Sequence, residues 1–521
     1  MPYAMNKRPF LWFTLAILFG VGLFLTLSWS RIGLGFPLDD AWIHQTYARN
    51  FAENGRWEFV PGVVSSGSTA PLWTLLLAVG YWLRLPYLLW AYLLGALCLL
   101  GTAYAGSRLW QQVWPTHEKQ VWLIGLVTIF TWPLLWAAVS GMETLLFMML
   151  GLFTLTVYFD TLNSAATAQA ASAQSASPRW PWFQLGILSG LLMLTRPDGI
   201  VVIIVVLLGT VLIAKSMQQR TAVFLRQILG LFFGIGLLLL PYFAFNWWSS
   251  GHIWPTTLYA KQAEYAVLLA QPLPQRLARL AAVSFGSTEM GGMASPHLLL
   301  LPGILFAIGR LLYQRAWPRL LPLLWAIGHL VLYAWRLPLV YQHGRYLLPT
   351  IPIWLLYGLA GWLWLFTWLA RQHQAAALLR RVLTLSYVVV TAFFLLLGAA
   401  AYADDVNFIE GEMVTTARWL AENTSEDALI ATHDIGAIGY FAKRPLLDLA
   451  GLLSPSVVPF LTDQTAMVDY AVAQEADYLV TAPGWPYVAV EKVGTAVYTT
   501  NYAPSTSDGY NNMTVYELDN P

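Results

Sequence analysis

Runs of roughly 20 mostly apolar residues recur from the N-terminus to about residue 401 of this 521-residue chain, and no other feature limits its folds as much. A helix satisfies its backbone polar groups internally, so each run reads as a membrane-spanning helix. Eleven are expected, at 9–29, 87–107, 120–139, 143–161, 182–195, 199–214, 227–248, 297–313, 320–335, 346–370 and 382–401. The first follows Lys7 and Arg8 like a signal peptide, but its apolar part exceeds the roughly 7–15 residues of a signal core and lacks a clear cleavage site; it reads as a retained anchor. The chain is 58% hydrophobic, 11% charged and formally +1, so no basic surplus exists to neutralise a nucleic-acid backbone, and nucleic acid is not an expected partner. The single cysteine, Cys98, excludes an intramolecular disulfide and a CxxC metal site.

Segment 69–85 is the ambiguous one, because its apolar part is short and follows the turn-like Ser-Gly-Ser-Thr-Ala-Pro. Charge decides between the alternatives. If the segment does not span, 14 of the 24 basic residues before position 402 fall in cytoplasmic loops, as the positive-inside rule requires. The segment is therefore expected to be an interfacial or re-entrant helix, with the N-terminus cytoplasmic and the C-terminus outside. Acidic residues, not used in that fit, then sort themselves. Only Glu118 and Asp160 fall inside, while Asp39, Asp40, Glu53, Glu58, Glu143, Asp198, Glu264 and Glu289 fall outside. Charges near span ends are costly unless they line a polar cavity, so one is expected at the outer face. The Ala/Ser/Gln-rich loop 163–179 reads as a linker.

After residue 401 the composition changes: 17 of the 27 acidic residues lie there and no further span occurs. The expected domains are a membrane part, 1–401, and a soluble α/β tail, 402–521. In the tail, "DALIATHD" reads as a strand, "IGAIGYF" as a turn and short helix, "PLLDLAGL" as a strand, and "MVDYAVAQEADYLVT" as helix then strand. His433 and Asp434, followed by Gly436 and Gly439, lack the full nucleotide-binding fingerprint and read as a structural turn.

The segment 37–73 carries the most chemistry. Asp39 and Asp40 stand where a helix begins, and one carboxylate suffices to cap the free N–H groups there. The other is then free to act as base or metal ligand, and adjacent carboxylates perturb each other's acidity.

"DDAWIHQTYARN" and "SSGSTAPLW" in the first outer loop are followed in order by "SGMET" at 140–144, "TRPDG" at 195–199, "WPTTLYAK" at 254–261 and "HGRYLLPTIP" at 343–352, then "DIGAIGYF" and "DLAGL" in the tail. The set spans most of the chain and resembles the GT-C membrane glycosyltransferases, especially bacterial relatives of the arabinofuranosyl- and mannosyltransferases that use polyprenyl-phosphate sugars. The resemblance implies a polytopic α-helical membrane protein of GT-C type, with about eleven transmembrane helices, interfacial helices in the outer loop 30–86 and an extracytoplasmic C-terminal α/β domain. It implies sugar transfer, with inversion, from a polyprenyl-phosphate donor to a glycan, lipid or protein acceptor at the outer face of the cytoplasmic membrane. Asp39 or Asp40 is the expected general base, and alignment with the family's leading acid points first to Asp39. A departing polyprenyl phosphate gains negative charge, for which Arg196, Lys261, His343 and Arg345 are the outward-facing cations. Glu143 and Asp198 are candidates for a second acid that orients the acceptor. Metal use varies across this fold, so a divalent cation, Mg or Mn, on Asp39, Asp40 and Glu143 is left open. The competing expectation is a transporter or flippase for lipid-linked saccharides. That function calls for internal repeats and midplane charges, whereas no convincing repeat is visible and the charges gather at one face.

Overall fold

The computed structural model describes residues 7–170, 180–216, 218–286, 296–507 and 509–519. Glu289 and positions 171–179 of the expected linker lie outside them, whereas 163–170 continue a helix. In chain order the first helices are α1 (Lys7–Arg31), α2 (Asp39–Asn54), α3 (Pro71–Trp82), α4 (Tyr87–Val113), α5 (Val121–Ile129), α6 (Trp132–Ala138), α7 (Thr144–Ala170), α8 (Trp180–Thr195), α9 (Ile200–Ser216), α10 (Thr221–Ser250) and α11 (Thr256–Glu264). Further long helices are Leu301–Tyr313, Leu321–Arg336, Ile351–Leu369 and Ala376–Phe408.

Every expected span falls on a helix. Among the described residues, eight helices are long and apolar enough to cross a membrane, and the pair α5 and α6, bent by 66° at a short break, makes nine if taken as one span. The count of eleven rested also on α8 and Leu321–Arg336. Each has 16 α-helical residues, and the 3-10 turn Trp317–Leu320 runs directly into the second. α7 leaves from beside Glu143 and α8 returns to place Arg196 3.4 Å from it, so α8 retraces the width that α7 crosses; Pro197 disfavours helix at the residue before it, and α8 stops before Arg196. At 12 residues α3 is too short to cross, and it packs beside α2, as expected for the ambiguous segment. Close crossings are made by small residues. A Cβ on Gly186 of α8 would lie 2.3 Å from the Leu231 carbonyl oxygen of α10, and one on Gly361 would lie 1.7 Å from that of Gly303.

The helix of the last span does not end at residue 401. It continues to Phe408, passes through a wide turn at Ile409–Val414 and ends at Asn423, so the membrane part and the tail share one continuous helical rod. The tail then forms a five-stranded sheet of β1 (Ile430–Thr432), β2 (Leu446–Asp448), β3 (Tyr478–Val480), β4 (Gly494–Thr499) and β5 (Thr514–Leu518) in the order β2-β1-β3-β5-β4. β1 runs parallel to both neighbours, with Ile430 opposite Leu446 and Tyr478, and β5 is antiparallel to β3 and β4. The helix Gln464–Ala473, capped by Asp463 through the Thr465 and Ala466 N–H groups, leads into β3.

Two contacts seat the tail. Trp42 of α2 packs on Tyr440 and Phe441 with ring centroids 5.0 and 4.7 Å away, and Arg49 donates to the Tyr440 carbonyl at 2.7 Å. Below the sheet, the fully buried Glu412 accepts from Thr500 (2.5 Å), Ser505 (2.5 Å), Asn512 (2.9 Å) and the Met513 N–H (3.0 Å). Replacing that carboxylate by a methyl leaves the buried Ser505 hydroxyl and Met513 N–H without this acceptor, at roughly 1–3 kcal/mol for each that water cannot reach, and also frees the half-buried Thr500 and Asn512. Glu412→Ala is therefore expected to lower the opening free energy of β5 by roughly 3 kcal/mol or more, read by hydrogen exchange at Thr514–Leu518, with membrane-helix exchange unchanged.

Candidate active site

The expected Asp pair begins α2, but neither carboxylate caps that helix: the N-cap is Leu38, and it makes no side-chain cap bond. Adjacent residues on a helix diverge by about 100°, and here they serve opposite walls of one cavity. Asp39 turns to the tail. Its Oδ2 accepts from the Gly436 N–H and its Oδ1 from the Ala437 N–H, both at 2.7 Å. The approach needs glycine, since a Cβ on Gly436 would lie 2.1 Å from the Asp39 carbonyl oxygen. Asp40 turns to the membrane part, bonded to Arg345 Nη2 and 3.4 Å from Lys261 Nζ on α11. Both cations also donate to the Tyr346 hydroxyl, Lys261 at 3.2 Å and Arg345 at 3.0 Å.

Between the walls lies a cavity of about 330 Å³. Asp39, Asp40, Lys261 and Arg345 line it together with Trp136, Glu264 and Asp405 from the membrane part, and His433, Asp434 and Trp485 from the tail. Arg345 is only 4% exposed, and its Nε and Nη1 have no hydrogen-bond partner among the described residues. Burial disfavours the charge on Asp40, but Lys261 and Arg345 outweigh it and hold the carboxyl far below the ordinary range. Lys261 is likewise kept charged: burial opposes its proton, and Asp40 more than compensates. For Asp39, burial and then the neighbouring Asp434 outweigh the two backbone N–H donors and push the carboxyl up to about 7.

The other expected site residues stand elsewhere. His343 is not in the cavity wall. It sits edge-on to Trp132 and Trp136, and its Nε2 lies 2.7 Å from Asp405 Oδ2, which also accepts from Trp136 Nε1 at 2.8 Å. Gln342, His343 and Gly344 all have left-handed φ, and the sharp turn they make directs His343 to the Asp405 rod while Arg345 enters the cavity. Arg196, Glu143 and Asp198 form a buried network behind the cavity. Arg196 Nε donates to Asp198 at 3.1 Å, its Nη1 is 3.4 Å from Glu143, and its Nη2 donates to the Tyr333 hydroxyl at 2.5 Å. His44 closes the other side of Glu143 at 3.4 Å, and His329 bonds the Tyr346 carbonyl at 2.8 Å. The network touches the cavity through Tyr346, over whose ring Arg196 lies at 5.4 Å.

The carboxylates considered for a divalent cation do not fit one as they are arranged. Asp40 is paired with two cations and Glu143 with Arg196, while both oxygens of Asp39 accept from backbone N–H groups. Among the described residues, no group of three or more His, Cys, Asp or Glu side chains is placed to hold a metal. Asp405, His433, Asp434 and Trp485 were missed from the sequence as cavity residues. The tail motif "THDIGAIGY" holds His433 and Asp434 and reads as a turn, while no motif marks Asp405 or Trp485.

A raised carboxyl means the folded protein retains a proton that the unfolded chain releases near pH 4. Stability is thus expected to fall as pH rises from about 4 to about 7, because the unfolded chain binds fewer protons throughout that window. The difference in thermal midpoint between pH 5 and pH 8 should shrink in Asp39→Asn.

A family model described as a domain of unknown function, DUF8728, matches residues 401–516. No curated protein matches the sequence. Solved structures do. The oligosaccharyltransferase of Archaeoglobus fulgidus, in its apo form, is similar at 13% identity with a TM-score of 0.60, covering 93% of this chain and 73% of that one. ArnT from Cupriavidus metallidurans is similar at 15% identity and TM-score 0.58 in the apo state, and at 14% and 0.56 when bound to undecaprenyl phosphate, covering 97% of both chains in each case. The arrangement of membrane helices, outer-loop helices and C-terminal domain is therefore that of the GT-C fold of membrane glycosyltransferases.

Proposed function

We propose that this protein transfers a sugar, with inversion, from a polyprenyl-phosphate donor to a hydroxyl-bearing acceptor in the cavity between the membrane part and the tail. The observation that carries the proposal is that Lys261 and Arg345 meet on Asp40 at the cavity wall while Arg345 Nε and Nη1 have no partner among the described residues. Within this cluster two buried cations share one carboxylate and can take a second anion, and arginine suits phosphate. The ArnT structure bound to undecaprenyl phosphate supports a lipid phosphate as that anion. A polyprenyl chain dissolves only in the bilayer, so its head must be met at the interface. The reading takes the N-terminus as cytoplasmic and the tail as extracytoplasmic, with membrane lipids surrounding the exposed apolar helices. Which sugar is moved, mannosyl, arabinofuranosyl or another, is left to the pocket walls.

In the proposed reaction, the acceptor oxygen bonds to the anomeric carbon as the bond from that carbon to the phosphate oxygen breaks. The electron pair leaves with the polyprenyl phosphate, whose added charge Lys261 and Arg345 meet in a site poor in water. Asp40 yields its place on the cations when the phosphate arrives. The acceptor proton passes to Asp39, whose carboxyl, pushed up to about 7, is a far better base at neutral pH than Asp40. Tyr346, backed by the Arg196–Glu143–Asp198 network, fixes the two cations.

Purified protein is expected to release undecaprenyl phosphate from undecaprenyl-phosphate sugars in the presence of glycan acceptors. Arg345→Ala and Lys261→Ala should each lower that rate by about 10²–10³-fold, the usual effect of removing one charge-stabilising donor. Asp39→Asn should abolish transfer while donor binding persists. A parent that moves lipid-linked sugar across proteoliposomes without releasing undecaprenyl phosphate would overturn the enzyme reading in favour of a transporter.

A further inference from the structure

The tail wall of the cavity contains a histidine that the proposed reaction leaves unused. His433 follows β1, and its ring lies face to face with Trp485, centroids 4.5 Å apart and planes 18° from parallel. Its Nδ1 is 3.0 Å from Asp434 Oδ1, which fixes the proton on that nitrogen. The opposite nitrogen, Nε2, is buried and has no hydrogen-bond partner among the described residues, although the side chain is only 10% exposed and lines the cavity. Buried polar atoms are nearly always partnered, and this one belongs to a side chain on the cavity wall, where a ligand group can supply the missing bond. Burial opposes a proton on His433, but Asp434 more than offsets it and raises the group above its ordinary value. Nε2 therefore accepts in the neutral ring and donates in the charged one, and a sugar hydroxyl satisfies either.

The surroundings narrow the ligand class. On this side of the cavity stand the carboxylates Asp434 and Glu264, with Asp39 beyond them, while Lys261 and Arg345 serve Asp40 on the opposite wall. An acidic sugar would face like charges without a free cation.

We infer that His433 and Trp485 form the acceptor subsite, in which Nε2 of His433 bonds a hydroxyl of a neutral sugar and the acidic wall rejects uronic acids. This rests on the glycosyl-transfer reading above and adds to it the acceptor's class and position.

The test is saturation-transfer NMR on the full chain in detergent with methyl mannoside, methyl galactoside, methyl arabinofuranoside and glucuronate as probes, alongside binding of undecaprenyl phosphate. At least one neutral glycoside should give a signal in the parent that falls fivefold or more in His433→Phe, which keeps the ring on Trp485 but removes Nε2. Glucuronate should give less, and undecaprenyl phosphate should bind parent and variant alike, showing that the variant is folded. An undiminished glycoside signal in His433→Phe, or no neutral-glycoside signal in a parent that binds undecaprenyl phosphate, overturns the subsite alone. Failure of the parent to bind either the glycosides or undecaprenyl phosphate overturns the subsite together with the transfer reading.

Discussion

Two cations share one carboxylate at the meeting point of the membrane helices and the tail, and the surrounding architecture follows from that imbalance. Lys261 and Arg345 come from segments far apart in the chain, and neither is stable in a buried position without an anion. Asp40 holds them 221 and 305 residues from its own place. The arrangement anchors α2 to α11 and to the turn before Ile351–Leu369. It also leaves Arg345 Nε and Nη1 without a hydrogen-bond partner among the described residues, while Asp39, Glu264, Asp405 and Asp434 line the rest of the cavity.

The second acid shows why the pair is a pair. If Asp39 shared the environment of Asp40, it would only complete the neutralisation of the cations. Instead it receives two N–H groups from the tail, beside Asp434, and its acidity moves in the opposite direction. Two chemically identical neighbours are thereby moved in opposite directions of acidity. The separation depends on the tail being seated, because Gly436 and Ala437 supply the donors and Asp434 the repelling charge. Behind the cavity, Arg196 pairs with both Glu143 and Asp198 and lies over the Tyr346 ring, so the network reaches the site through that ring.

Much of the fold was legible along the chain. Long apolar runs mark helices because a bilayer leaves the backbone no alternative, and each expected span is helical. The short apolar part of 69–85 and the basic loops sufficed to keep α3 from being taken for a span. The tail strands at 430–432, 446–448 and 478–480 lie within the segments read as strands, where hydrophobic runs are bounded by turn residues. What was not legible was how a span bends: 120–139 reads as one run, yet α5 and α6 meet at 66° across a short break. Nor was the continuity of the last helix past residue 401 visible, since a change in composition marks a change of solvent and not the end of a helix.

The sequence by itself determined the class of molecule and the short set of residues among which a site had to be found, because hydropathy and charge act locally and are read residue by residue. Only the tertiary structure decided which members of that set meet. It brought Asp40, Lys261 and Arg345 together, sent His343 to Asp405, enclosed Arg196 with Glu143 and Asp198, and carried His433 and Trp485 onto the cavity wall. A cation's partner is set by which buried anion lies within a few ångströms, and that distance is fixed by how helices hundreds of residues apart pack, information that no local pattern contains.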